Sequence, residues 1–555
     1  MSSSTRPAQV EAEDSKQPIK QPLGSKQTSI MASEEAAVSE EKAPEEAPKP
    51  VVEYPNGLEV LFIILALILS ITLCSIDQAL ILASQTIVAT AIPRITDQFH
   101  SLEDISWYGS AYFMTLGAFQ STWGKVFKYF PLKTSFLVAI FVFEIGSLIA
   151  AVAQNSTTLI VGRAISGIGA SGIAPGVYTI SAFSAPPDKR ATYTGVIGVS
   201  YGVAAVCGPL IGGAVTKAAT WRWCFYINLP IGAVAAAVII LTFKTPKTAI
   251  VHEATLKEKL LHMDPIATVL IMAALACIIL PLQYAGVSNA WNSSVVIGLI
   301  VSFVAICAAL TAVEILQGER AMLTPRIMAK RTVWASGLWG FFFAGAYFAT
   351  LYYLPIYFQS IDNVSPIASG VRSIPLIIMF SVATFGSGKA ITMTGARDTL
   401  HAGRVDIGTS TGKWVGYQIL AGFGYGLALQ VPVVVAQAFA EPTDIAPTTA
   451  IIIFYRSMGA TLMLAAGQSA FVNQVVVKLR STAPNVDPGR VTGTGATELH
   501  QIFSGADVDG VVRAYSWGIQ VVFLITLASC ILTIPFALCN KWTNVNAKKA
   551  APSKA

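Results

Sequence analysis

The chain alternates long apolar runs with short polar loops. Apolar runs fall at 58–92, 105–124, 134–153, 157–181, 192–216, 222–243, 264–285, 293–314, 332–358, 367–388, 414–439, 449–475 and 515–540. A helix needs about 20 apolar residues to cross the hydrocarbon core of a bilayer. In lipid the backbone must satisfy its own hydrogen bonds, which a helix does. The pattern therefore predicts an all-α polytopic membrane protein with thirteen crossing helices. The first run, 35 residues, is too long. As helix it would reach about 50 Å, against a core of about 30 Å, so it must protrude, tilt or bend.

Residues 1–54 are rich in Ser, Ala, Glu, Lys and Pro and show no apolar periodicity. Such a segment cannot bury a core and is expected to be a disordered tail. It also lacks the apolar stretch of a signal peptide. Loop charge sets orientation. Loops after even-numbered runs, through the eighth, carry thirteen Lys and Arg residues, and loops after odd-numbered runs, through the ninth, carry three. The even loops, and the N-terminus, are expected to be cytoplasmic. Lys541, Lys548, Lys549 and Lys554 favour a cytoplasmic tail at 541–555 as well. Thirteen crossings from a cytoplasmic start would instead leave that tail outside.

A faint internal repeat bears on this conflict. Val161, Gly162, Gly167 and Gly169 are echoed by Val415, Gly416, Gly422 and Gly424, with one extra residue. If the halves are related, the fourth run matches 414–439, yet two runs rather than three precede it in the second half. The intervening 388–413 contains Lys389, Arg397, Asp398, Arg404, Asp406 and Lys413 and is too polar to cross lipid. One helix of the second half is expected to be missing.

Composition narrows the function classes. The 555 residues are 54% hydrophobic and 12% charged, whereas soluble domains carry about 25% charged residues. The net charge of +6 sits in short loops between apolar runs and does not indicate nucleic acid. The seven cysteines lie in apolar segments without metal or redox spacing, and all five histidines fall outside the runs. No phosphate-cradling G-x-x-x-x-G-K-[ST] loop and no nucleophile–base pair occurs. An enzyme, an ATP-driven pump, a resident metal and a cofactor are not expected.

The fifth run carries a motif. Gly198, Gly202, Gly208, Pro209, Gly212 and Gly213 give it a smooth face and a mid-helix proline. Small residues let helices approach closely in lipid, and an internal proline removes a donor and bends the helix. A static, tightly packed helix is the plainer reading. The spacing resembles the fifth-helix antiporter motif of major facilitator superfamily exporters. Thr86-Ile87-Val88-Ala89-Thr90-Ala91-Ile92-Pro93-Arg94 resembles the end of helix one in the fungal fourteen-helix drug:proton antiporters. Leu159-Ile160-Val161-Gly162-Arg163 resembles their fourth helix, and Trp221-Arg222-Trp223 through Asn228-Leu229-Pro230 the start of their sixth. Tyr352 to Gln359 and Trp414 to Gln418 extend the likeness across nearly all of 58–538.

This resemblance implies the major facilitator fold: two six-helix bundles around a central cavity, with two linking helices. The chain would divide into a tail (1–54), an N-terminal bundle (55–243), linking helices (244–331), a C-terminal bundle (332–540, with an outer loop at 478–513) and a C-terminal tail (541–555). Within the family the likeness is to exporters of fungal toxins and secondary metabolites. Three departures stand out. Ile76-Asp77-Gln78 is separated from Thr86-Ile87-Val88 by seven inserted residues, 79–85, about two helical turns. The polar 395–404 stands where relatives have an apolar helix. Lys128 occupies a position in Gly124-Lys125-Val126-Phe127-Lys128 where the cytoplasmic motif has an acid.

Ionisable residues inside lipid are expensive and point to function. Asp77 and Glu144 are the deepest carboxyls. Burial disfavours a carboxylate and a nearby cation favours it, so a group alternating between the two settings can take up and release a proton. The alternative is a polar clamp between helices. The resemblance makes Arg163 the helix-four arginine of proton coupling; otherwise it reaches the outer interface. Arg456 either contacts an anionic substrate or snorkels to the cytoplasmic face. Tyr112, Tyr352, Tyr353, Tyr357, Gln359, Gln430 and Gln468 are candidates for the cavity wall or for packing. Asn155, Asn292 and Asn363 head glycosylation sequons in expected outer loops, and 496–503 is expected to form a short surface helix.

Taken together, these features favour a monomeric, proton-coupled exporter of a small amphipathic toxin, secondary metabolite or drug in the plasma membrane. Its partners would be the bilayer, the cargo and protons. A vacuolar location stays open. So do two other functions, an importer of a nutrient or siderophore, and a non-transporting receptor or inactive splice form.

Overall fold

A computed structural model describes residues 57–86, 98–99, 105–186, 189–218, 220–246, 249, 251–286, 289–394, 410–492, 494 and 499–540. The expected tails, the 87–96 part of the first-helix motif and most of the polar stretch 388–413 lie outside them. Each of the thirteen apolar runs carries a helix. In chain order these are α1 (Gly57–Thr86), α2 (Ile105–Tyr129), α3 (Leu132–Ala151), α4 (Ser156–Ser184), α5 (Arg190–Ala218) and α6 (Asn228–Thr242). There follow α7 (Pro265–Tyr284), α8 (Ser294–Gln317), α9 (Arg331–Ser360), α10 (Ile374–Thr394), α11 (Thr411–Ala428), α12 (Ile445–Thr482) and α13 (Ala506–Cys539). A short helix, Val431–Phe439, continues α11.

Caps fix several starts, where a side-chain oxygen satisfies an orphan backbone donor. Asn155 Oδ1 accepts from the Thr158 N–H at 2.8 Å, at the head of α4. Asp264 does the same for Ala267 at the head of α7, at 3.0 Å. Glycines set the helix spacing. A methyl group added at Gly169 would come within 2.3 Å of the Phe143 backbone nitrogen, and one at Gly162 within 2.6 Å of that of Ala150. The backbones of α3 and α4 therefore nearly touch, which only glycine permits. α7 lies over α2 and α12, while α8 turns most of its apolar surface outward.

The two halves repeat one another in detail. Gly167 on α4 seats against the Tyr112 carbonyl of α2, and Gly422 on α11 seats against the Leu376 carbonyl of α10. α2 packs on α12 and α5 on α10, so each half presents one pair of helices to the other. The repeat breaks at α3. Gly162 meets α3, but a methyl group at its counterpart Gly416 would meet nothing within 4 Å among the described residues. Ile419, Leu420 and Phe423 on α11 are exposed beside it.

The same region resolves the conflict over the C-terminal tail. Gly422 seats on Leu376 and Gly426 on Phe380, so numbering rises together along α10 and α11. The Gln418 amide also donates to the Arg372 carbonyl at 3.0 Å. These two helices run parallel, and Thr394 and Thr411 lie at opposite ends of the fold. The helices after them are consequently flipped relative to a simple alternation. The Arg331 guanidinium at the start of α9 donates to the Cys539 carbonyl at the end of α13. Asn540 Nδ2 donates to Ser336 Oγ at 3.4 Å. The chain thus reaches Asn540 at the end carrying the basic loops, as the tail's lysines favour.

The outer loop is shorter than 478–513. α12 runs on to Thr482 and α13 begins at Ala506, because Val475, Leu479, Val511 and Ala514 continue the buried faces of both helices. Within the loop the short helix is Leu499–Ile502. Leu499 and Phe503 are buried against the second half, so it is tucked in rather than lying free on the surface. An epitope tag placed after Ala555 should be reached by antibody only after cells are permeabilised. Labelling in intact cells would show that the end of α13 is inverted.

Candidate functional site

A fully buried pair of opposite charges lies in the first half. Asp77 on α1 and Arg163 on α4 are each 1% exposed. Arg163 Nη1 donates to both carboxylate oxygens of Asp77, each at 2.9 Å. Its Nε donates to the Tyr108 carbonyl of α2 at 3.2 Å. Its guanidinium lies 4.4 Å from the centre of the Tyr112 ring and 5.7 Å from that of Phe225, which adds cation–π attraction in a desolvated setting. Asn228, the first residue of α6, reaches Asp77 Oδ1 at 3.4 Å and Ser147 Oγ at 3.3 Å. Four helices thus converge on one ion pair. Of the alternatives for Arg163, reaching the outer interface is excluded by its burial.

Glu144 sits beside this network. A methyl group added at Gly232 would fall 1.7 Å from Glu144 Oε1, so the carboxyl rests in the space that glycine leaves on α6. Gly232 is one turn beyond Asn228. Neither oxygen of Glu144 has a hydrogen-bond partner among the described residues.

A second site lies between the halves. A small, partly open cavity is lined by Phe113, Leu116, Gln120, Tyr201, Phe348 and Arg456, among others. Of the residues expected on the cavity wall, Arg456 alone lines it among the described residues. Arg456 is 7% exposed and does not snorkel. Its Nη2 donates to the Tyr201 hydroxyl at 2.7 Å, joining α12 to α5.

The other wall candidates are placed elsewhere. Tyr112 packs under Arg163. Tyr352, Tyr353 and Tyr357 belong to the aromatic core of the second half, where the Tyr353 hydroxyl donates to Gln468 at 3.0 Å. Gln359 donates to Ser369 at 3.3 Å. Gln430 is fully buried and faces α5: a methyl group at Gly198 would come within 2.2 Å of its amide nitrogen. Gly202 meets Ser381 Oγ of α10 at 2.4 Å on the same test. The smooth face of α5 is therefore seated against the other half at these two glycines. Gly208, Pro209, Gly212 and Gly213 continue the helix, and their surroundings lie outside the described residues.

The basic end is closed by an ion-pair cluster that the sequence reading did not anticipate. Lys128 Nζ of α2 pairs with Asp444 Oδ1, just before α12, at 3.0 Å. Arg326, in the segment linking the halves, pairs with Asp444 Oδ2 at 2.9 Å and with Glu319 at 2.8 Å. The anomalous lysine in the cytoplasmic motif thus meets an acid from the opposite half. Burial disfavours the Asp444 carboxylate, but the Arg326 and Lys128 bonds outweigh it and hold the group below the usual carboxylate range. A depressed carboxyl contributes its stability above its ordinary value and loses it only as pH falls through the lowered one. The closure is accordingly insensitive to pH near neutrality.

The sequons are all in turns and exposed. Asn155 caps α4, Asn292 precedes α8, and Asn363 has φ 52°. Among the described residues no group of three His, Cys, Asp or Glu side chains could hold a metal.

The family model for the Major Facilitator Superfamily matches residues 76–482. The chain belongs to the Major Facilitator Superfamily. It is a multi-pass membrane transporter and not an enzyme. The chain is 47% identical over 522 residues to the MFS-type transporter grgE of Penicillium sp., covering 92% of this chain and 91% of that one. It is 40% identical over 517 residues to the MFS-type efflux pump MFS1 of Arthroderma benhamiae, covering 91% and 95%. In fold it is similar to a bacterial homolog of the human lysosomal transporter Spinster, inward-facing and unoccupied, with TM-score 0.54 and 16% identity. That match covers 90% of this chain and 100% of the other. The superfamily's all-α architecture agrees with the helices described above.

Removing one partner of a buried pair strands the other and costs about 3–5 kcal/mol, while removing both together is far milder. Asp77→Asn should therefore lower the unfolding stability of the purified protein by that order. Asp77→Asn combined with Arg163→Gln should restore most of it. Equal stability of all three forms would show that the pair does not hold α1 to α4.

Proposed function

We propose that this chain exports a small amphipathic molecule, a toxin, secondary metabolite or drug, in exchange for protons. In this reading it acts as a monomer in the plasma membrane. The observation that carries the proposal is the fully buried Asp77–Arg163 pair, one bundle's sole acid–base contact sealed from water among the described residues. Efflux is the activity named for a relative 40% identical over most of the chain.

The bundles 55–243 and 332–540 rock against each other around the central cavity, as transporters built from repeats do. The seats of Gly198 and Gly202 give α5 and α10 a surface on which to move. With Lys128, Arg326 and Asp444 paired, the cytoplasmic side is shut. A proton reaching Asp77 removes its charge, and Arg163 loses the partner that holds α4 to α1. Asn228 and the Tyr108 carbonyl then bear the reorganised contacts, and the bundle can open the other way. Release of the proton re-forms the pair. Glu144, resting on Gly232 beside Asn228, is a second station for the proton.

A further reading is an inactive form. The bare face of α11 at Gly416 and the insertion after Asp77 favour it. Reconstituted liposomes with an imposed proton gradient separate the readings. Given a library of amphipathic metabolites counted by mass spectrometry, the protein should concentrate a subset against the direction of proton flow. A protonophore should abolish this, and Asp77→Asn should reduce it about tenfold to a hundredfold, the loss of a buried charge-assisted contact. Gradient-driven accumulation that persists in Asp77→Asn would remove Asp77 from the coupling. Cargo moving with the protons would identify an importer, and no accumulation at all would identify the inactive form.

A further inference from the structure

Arg456 is a buried cation without a counter-charge. None of the ion pairs among the described residues includes it. Of its three guanidinium nitrogens, Nη2 is taken by the Tyr201 hydroxyl and Nη1 has no hydrogen-bond partner among the described residues. The rings of Tyr201 and Tyr178 lie 5.1 and 5.8 Å from its centre and offset part of the cost. Arginine stays protonated at any pH a cell reaches, so this charge cannot be avoided by neutralisation. Leaving it unpaired in a low-dielectric interior is strongly unfavourable.

The site around it is built to take a polar group. Gln120 lines the same cavity, is 0% exposed, and has both amide atoms without partners among the described residues. Ser457 lies next to Arg456 on the lining. The rest of the wall is apolar: Phe113, Leu116, Phe348 and Leu464. Contrast with Arg163 is instructive. There the carboxylate is supplied by the protein; at Arg456 it is not.

We infer that the cargo is an organic acid, an amphipathic molecule whose carboxylate or comparably acidic group binds Arg456 at Nη1. Gln120 donates its amide N–H to the same group, and the apolar wall takes the hydrophobic body. This rests on the export reading in one respect, that the cavity between the halves is the cargo site. It deepens that reading by fixing the cargo's charge. A mere tether between α12 and α5 through Tyr201 is the competing role for Arg456.

Equilibrium binding to the purified full chain in detergent decides this without any gradient. The probes are amphipathic carboxylic acids, each paired with its methyl ester, 1-naphthaleneacetic acid and its ester among them. The wild type should bind the acids about tenfold to a hundredfold more tightly than the esters, the worth of a charged hydrogen bond. Arg456→Gln should erase that preference, so that each acid and its ester bind alike. Arg456→Lys should keep part of it, and Tyr201→Phe should keep it all. A wild type that favours no acid over its ester overturns the inference. So does a preference that survives Arg456→Gln, or one lost equally in Tyr201→Phe, which is the tether's signature. Acid binding that is intact in a chain showing no gradient-driven transport would overturn the export reading and not this one.

Discussion

A carboxylate and a guanidinium buried together in lipid constrain the first half of this protein more than any apolar contact does. Either charge alone would be untenable at 1% exposure. Together they need α1, α4, α6 and the carbonyl edge of α2 at fixed positions, because the lone pairs and donors left over by the bidentate contact must also be met. Asn228, itself held by Ser147, and the Tyr108 carbonyl meet two of them, while Arg163 Nη2 has no hydrogen-bond partner among the described residues and the guanidinium has the Tyr112 and Phe225 rings beside it. The glycines that let α3, α4 and α6 approach closely serve the same requirement. Without Gly169 and Gly232 the helices bearing Arg163 and Glu144 would stand further apart.

Charge is handled differently at each level of the membrane. In the first bundle Asp77 and Arg163 pair with each other, and Glu144 rests in the space left by Gly232. Between the halves, Arg456 is left for something else to pair. At the basic end, Lys128, Arg326 and Asp444 join α2, the linking segment and the approach to α12 in one network. In that network Lys128 and Arg326 are 13% and 43% exposed while Asp444 is 1% exposed, so water reaches the cations and not the acid. In the proposed cycle this network is the closure, and the Asp77–Arg163 pair is the latch that a change in protonation opens. A transporter needs both kinds: a closure and a latch that opens on a signal.

The helices were legible because apolar runs in lipid leave little choice of structure; all thirteen stand where the pattern puts them. The faint repeat was legible too: the helix seat at Gly167 recurs at Gly422, while Gly416, the counterpart of Gly162, has no neighbour within 4 Å among the described residues, where the repeat leads one to expect a helix. Asp77 and Arg163 stood out as costly charges, but their pairing joins residues far apart in sequence and could not be read from spacing. The wall tyrosines misled because an aromatic residue in an apolar run gives the same signal whether it packs in a core or faces a cavity. Tyr352, Tyr353 and Tyr357 do the former. Gln120 and Tyr201 give no signal of their own in sequence: each stands among other polar residues on its helix, and only neighbours across the interface reveal its direction. Lys128 was noticed as a departure, and its meaning waited on Asp444, which belongs to the other half.

The account stands on a proton reaching Asp77 and parting it from Arg163. Infrared difference spectroscopy of the reconstituted protein across a downward pH step reads that event directly. The account predicts a protonated-carboxyl band that appears on acidification, is lost in Asp77→Asn, and survives Glu144→Gln. No such band, or a band unchanged in Asp77→Asn, would contradict it and leave the pair a permanent clamp.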